Sequence, residues 1–203
     1  MSRRSTSPSS SPFATSGLVT LALLVACMLG RPAPAQAQFT GPNTVSTPCT
    51  ACSPTDVHAA DLSGNGNDDV IFAAADDNKI AWYENTGSGF SSQNVISTSA
   101  FNVRDIYTAD LDNDGDPDVL AAIPGTNTIA WYENLDGDGG FSSSAKIIST
   151  SVTDPNVVHA ADLNGNDGDP NPDVITASSN LSGAVFRFTN QFAGGDGFSS
   201  GTK

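Results

Sequence analysis

Apolar and polar positions alternate along most of the chain after residue 56, in short runs broken by Asp, Asn, Gly and Ser. Alternation with a period of two marks half-buried strands, and runs of this length bounded by turn residues favour strands over helices. Val57–Leu62 leads into an acidic loop and Val70–Ala74 leads out of it. Asp76–Lys79 turns, Ile80–Glu84 returns, Gly87–Gly89 turns again, and Phe90–Thr98 forms a fourth strand. The same order begins again with Val103–Asp110, an acidic loop and Val119–Ile123. One unit therefore reads as four antiparallel strands.

The unit repeats. Asp61 to Asp110 is 49 positions and Asp110 to Asp162 is 52. Ile80-Ala81-Trp82-Tyr83-Glu84-Asn85 returns as Ile129–Asn134 and more loosely as Val185–Asn190, and Gly89-Phe90-Ser91-Ser92 returns at Gly140–Ser143 and Gly197–Ser200. A period near 50 with several short strands per unit predicts an all-β array of the β-propeller type, built from four-stranded antiparallel blades. The repeats fall at 57–98, 103–150 and 157–203, behind an N-terminal segment at 38–56 whose Phe39–Thr47 matches the fourth strand Phe90–Thr98. Three units are too few to close a ring on the usual plan, so the array is expected to be incomplete.

The acidic loop is where chemistry enters. Asp110-Leu111-Asp112-Asn113-Asp114-Gly115-Asp116-Pro117-Asp118 sets carboxylates at alternate positions around a glycine. A calcium ion takes six to eight oxygen ligands, and a loop that curls at Gly115 can turn Asp110, Asp112, Asp114 and Asp118 inward while Asp116 offers its backbone carbonyl. The helix-flanked calcium loop needs Glu at position 12, where this chain has Ala121. Loop one substitutes Asp61, Ser63, Asn65, Asn67 and Asp69, with less charge. Loop three offers Asp162, Asn164 and Asn166 and can close with either Asp169 or Asp173. Four aligned carboxylates repel one another unless a cation joins them. Structural Ca2+ is the expected cofactor.

These motifs together resemble the FG-GAP or VCBS-type repeat of integrin α-subunit propellers and many secreted bacterial proteins. The resemblance covers Phe39–Lys203 and implies a calcium-bearing β-propeller with ligands at loop positions 1, 3, 5, 7 and 9. The longer third loop departs from that pattern.

Composition adds direction. The 203 residues carry a formal net charge of −14, and Glu occurs only at Glu84 and Glu133. So acidic a chain repels phosphate, which argues against nucleic acid as a partner. Arg3-Arg4, the apolar run Leu18–Leu29 and the small residues Ala35-Gln36-Ala37 form an export signal over residues 1–37, leaving no transmembrane segment in the mature chain. Leu24–Cys27 offers a lipoprotein anchor at Cys27 as an alternative. Cys49 and Cys52 in an oxidising compartment are expected to form a small loop disulfide.

Trp82 and Trp131 are expected to pack between blades rather than to serve as a sugar platform. His58 and His159 sit at equivalent strand positions, and no Ser, His or Cys breaks the repeat as a catalytic residue would. The expected function is an exported, non-enzymatic binding, adhesion or scaffold module for an extracellular protein or glycan. Two alternatives are an accessory module or hydrolase acting on extracellular polysaccharide, and a partial propeller that completes itself as a homo-oligomer.

Overall fold

The computed structural model describes residues 44–45, 53–165, 171–180, 183–191 and 197–199. The export signal, Cys27, the Cys49–Cys52 pair, most of Phe39–Thr47, and Asn166 and Asp169 lie outside the described residues. The chain from Thr44 onward forms one unit.

Three antiparallel sheets follow one another. The first contains β1 (Pro54–Ala60), β2 (Asp69–Ala74), β3 (Lys79–Tyr83) and β4 (Asn94–Ser97). The second contains β5 (Asp105–Ala109), β6 (Asp118–Ile123), β7 (Thr128–Tyr132) and β8 (Lys146–Ser149). The third contains β9 (Pro155–Ala161), β10 (Asp173–Ser178) and β11 (Val185–Phe188). Each is a meander in sequence order. The alternating pattern thus gives an all-β array of propeller-type blades.

Some boundaries differ from the sequence reading. The inner strands begin at Pro54 and Pro155, ahead of the apolar runs, because backbone pairing with Ala74 and Ser178 extends past the alternating side chains. The fourth strand of repeat one shrinks to Asn94–Ser97, with Phe90 reduced to a single bridge to Asn85. The third sheet has three strands among the described residues.

Alternation decides which face of each blade meets which neighbour. Ile71, Ala73, Ile80 and Trp82 on the forward face of blade one pack against Ile106, Val119, Ala121, Ala130 and Tyr132 on the rear face of blade two. Leu120, Ala122, Ile129 and Trp131 on the forward face of blade two meet Val158, Val174 and Phe188 of blade three. Both sheet faces of blade two are therefore buried, which is why β6 reads as a continuous apolar run with every residue covered. Trp82 and Trp131, 4% and 2% exposed, are inter-blade core.

Polar bonds fix how the blades sit. The Asp56 carboxylate accepts from the Ile106 N–H at 2.9 Å, and Asp105, one repeat on, accepts from Val158 N–H at 2.7 Å. In the other direction the Asn134 amide donates to the Leu62 carbonyl at 3.0 Å, and Asn190 donates to Leu111 at 2.7 Å. His58, Tyr107 and His159 stack across the three inner strands, with ring centres 5.1 and 4.0 Å apart. Repeat equivalence thus gives the two histidines a packing role.

Blade three breaks the pattern on its forward face. Val157 stands where Asp56 and Asp105 do, Arg187 stands where Trp82 and Trp131 do, and Val157 and Val185 are 45% and 65% exposed. Asn134 is fully buried and binds across the joint, whereas the Asn85 side chain bonds within its own blade, to Asp68 and Gly87. Replacing Asn134 by Ala leaves a buried carbonyl without its donor, so we expect a loss of about 1–3 kcal/mol in denaturant unfolding. Asn85→Ala should cost clearly less.

Candidate metal centre

Each acidic loop leaves an inner strand and ends on the first residue of the next strand. Asp69, Asp118 and Asp173 open β2, β6 and β10, pair with Ala60, Ala109 and Ala161, and are fully buried. That register identifies Asp173 as the third-loop counterpart of Asp69 and Asp118.

In loop two the Asp118 carboxylate accepts from Leu111 N–H and Asn134 N–H, both at 2.9 Å. It therefore ties the exit of β5 to the exit of β7. Asp110 accepts from Asp114 N–H at 3.2 Å and Gly115 N–H at 3.0 Å, which curls the loop, and Gly115 takes the left-handed conformation the curl demands (φ 101°). The result brings Asp110, Asp112 and Asp118 together, with one carboxylate oxygen from each lying within 4.8 Å of the others. Asp114 and Asp116 stand outside that group. Asp114 accepts from Asp116 N–H at 3.0 Å, and the Asp116 carboxylate packs over Gly137 of the β7–β8 hairpin.

Loop one has the same frame. Asp61 accepts from Asn65 and Gly66 N–H at 3.1 and 2.8 Å; Asp69 accepts from Leu62, Ser63 and Asn85 N–H at 2.9, 3.0 and 2.7 Å. Asn65 accepts from Asn67 N–H at 2.9 Å. Loop three departs. Asp162 accepts from Asn164 and Gly165 N–H at 3.1 and 2.7 Å, but Asp173 is held by Arg187, whose Nε and Nη2 lie 3.0 and 2.8 Å from one carboxylate oxygen. Leu163 is 46% exposed, whereas Leu62 and Leu111 are covered and their carbonyls are claimed by the next blade. A guanidinium sits directly on the buried aspartate of this loop. The sequence already held this signal, as an Arg in place of Trp.

The donor set fits a hard cation. Ser63 Oγ and Asp112 Oδ1, both at loop position three, are buried without a hydrogen-bond partner. Orphaned oxygens beside converging carboxylates are what a dication satisfies, and carboxylate oxygens already accepting N–H bonds keep lone pairs for it.

The electrostatics of loop two agree. Burial pushes the Asp118 carboxyl up to about 8, with the Asp112 and Asp114 charges adding to the shift against the pull of its two backbone donors. Burial, a shared hydrogen bond with Glu133 and the Asp114 charge lift Asp112 to about 6. The Lys146 ammonium, 2.8 Å from Glu133, holds that carboxyl below its ordinary value.

A family model for the FG-GAP-like repeat matches residues 61–121 and again 110–166. The two matches together run from the first acidic loop into the third, just over half of the chain. No curated protein matches the sequence. Among the described residues no helix is long and apolar enough to cross a membrane.

The raised carboxyls predict the pH response of the metal-free chain. A folded-state carboxyl near 8, against about 3.9 unfolded, means the folded chain holds its proton longer, so its contribution is complete below about pH 4 and is lost as pH rises toward 8. Melting temperature in chelator should therefore fall from pH 5 to pH 8. Millimolar calcium should flatten that slope, because the ion takes the place of the protons.

Proposed function

The chain belongs to the FG-GAP-like repeat family, and from that premise we propose an exported, non-enzymatic binding module whose blades are locked by structural calcium. Its partner is an extracellular protein or glycan. The observation that carries the calcium reading is the pair of buried, unpartnered position-three oxygens, Ser63 Oγ and Asp112 Oδ1. Asp112 belongs to the carboxylate group of loop two, and Ser63 stands at the same place in loop one. Export is supported by the charged start, apolar run and small-residue site within residues 1–37.

The loops rank by charge. Loop two, with Asp110, Asp112 and Asp118 converging, binds most tightly. Loop one binds more weakly, because Ser63 and Asn65 replace carboxylates. Loop three has the least need of an ion, since Arg187 already neutralises Asp173. In each loop the ion's work is mechanical. It holds one oxygen row from the loop against a carboxylate that is itself bonded to the third strand, so the blade cannot open at that end without losing the ion.

The test is thermal unfolding with calcium and with chelator. Sites near 10⁻⁴ M filled at about 10 mM calcium contribute about 2.7 kcal/mol each, or roughly 5–10 °C in a domain of this size. Asp112→Asn keeps an oxygen in place and removes its charge, so it should weaken calcium binding about tenfold or more while the calcium-free melting temperature stays the same or rises. A folded chain whose melting temperature ignores calcium would sink the reading.

A further inference from the structure

At the outer end of blades one and two, the residue that pairs with the repeated tryptophan differs. Trp82 and Trp131 match, as do Glu84 and Glu133, but β4 pairs Asn94 with Trp82 while β8 pairs Lys146 with Trp131. In blade two the Lys146 ammonium lies 4.4 Å from the centre of the Trp131 ring and 2.8 Å from the Glu133 carboxylate. Aromatic face and carboxylate together make a good ammonium seat.

Blade one keeps the tryptophan and the glutamate but lacks that lysine, and the Trp82 ring, 4% exposed, is packed against Gly139 so that only its edge meets the groove beside it. Asn94 is too short to take the lysine's place, its amide reaching 3.4 Å from Ser91 Oγ. Glu84 accepts a 3.3 Å bond from Asn65 and forms no ion pair among the described residues. Beside these residues opens a groove of about 700 Å³, lined by Trp82, Glu84, Asn94, Asp136, Asp138 and Phe141 among others, with no Lys or Arg among its described lining residues. The hairpin of blade two that forms one wall is set in place. Asp136 accepts from Asp138 and Gly140 N–H at 3.1 and 3.0 Å, and Gly139 lies so close to the Trp82 ring that a Cβ there would sit 2.2 Å from it.

We infer that this groove receives a lysine side chain from a partner polypeptide, its ammonium paired with Glu84 beside the Trp82 edge that lines the groove, as Lys146 is paired with Glu133. The flanking Asp136 and Asp138 carboxylates add attraction for a cationic segment. The template is a lysine with its four-carbon stem, not a flat guanidinium, and that difference sets the ligand class. The inference names a partner chemistry for the proposed binding module but needs the folded blades rather than the ions.

The test is a titration of an N-acetylated, C-amidated Gly-Lys-Gly peptide into the full chain at saturating calcium, followed by the indole N–H signal of Trp82. Saturable binding is expected. Acetylation of the lysine Nε should abolish it, and Asn94→Lys, which fills the seat from within as Lys146 does, should weaken it at least about tenfold with no fall in melting temperature. Glu84→Gln should weaken it in the same direction. No saturable binding, equal binding by the acetylated peptide or by the Asn94→Lys chain, or tighter binding of glucosamine than of the peptide would overturn the inference. Because calcium is saturating in every arm, this result and the calcium response of the loops can fail independently.

Discussion

A buried carboxylate at the first residue of the second strand holds each blade together. Asp69, Asp118 and Asp173 have no exposed surface, so each carboxyl needs hydrogen-bond partners inside the fold. In the first two blades that need is met by backbone donors from the inner strand's exit and the third strand's exit. These bonds join three strands at one point, and in loop two that point lies beside the Asp110 and Asp112 carboxylates. The same point is the least tolerant of charge without a partner, which is why burial raises Asp118 so far. Blade three keeps the donor from the third strand's exit, Asn190 N–H at 3.0 Å, and adds a guanidinium from that strand.

Blade-to-blade packing rests on a second repeated device. Each forward face gives an apolar layer ending in Trp, and its inner strand offers an aspartate to the next blade's N–H. The next blade returns an asparagine amide to the previous loop's leucine carbonyl. Burying Trp and polar clasps together fixes both the spacing and the tilt of neighbours, since the hydrogen bonds are directional and the apolar layer is not. Where Val157 and Arg187 replace Asp and Trp, the forward face of blade three carries neither part. The departures from symmetry are therefore more informative than the repeat. Arg187 pairs with the buried aspartate of its loop, and Asn94 stands in blade one where blade two has Lys146, beside a polar groove.

Much of this was legible in the residues. Period-two alternation with turn residues gave the strand order, and the 49-residue recurrence gave the blades, because a sheet buried on both faces needs apolar residues at every position and its turns need Asn or Gly. Asn78 and Asn127, both left-handed at φ near 50°, show that turn chemistry. The Asp spacing marked the loops because a metal shell demands oxygen at alternate positions. Less legible were the lengths of the outer strands, since Phe90–Thr98 has the alternation of a long strand while its first residues leave the sheet at the hairpin. Which aspartate closes loop three could not be read from spacing through an insertion; strand register chose Asp173.

What the sequence alone determined, then, is local and periodic: strands, turns, blade count and the oxygen-rich loops, all set by chemistry within a few residues. What only the tertiary structure decided depends on groups far apart in the chain. The gathering of the Asp110, Asp112 and Asp118 carboxylates, the clasp from Asn134 to Leu62 across 72 positions, and the seating of Lys146 over Trp131 where blade one pairs Asn94 with Trp82 all belong to that class. Periodicity says which face a side chain takes, but the partner on that face is fixed only when neighbouring blades dock and their buried polar groups must all be satisfied.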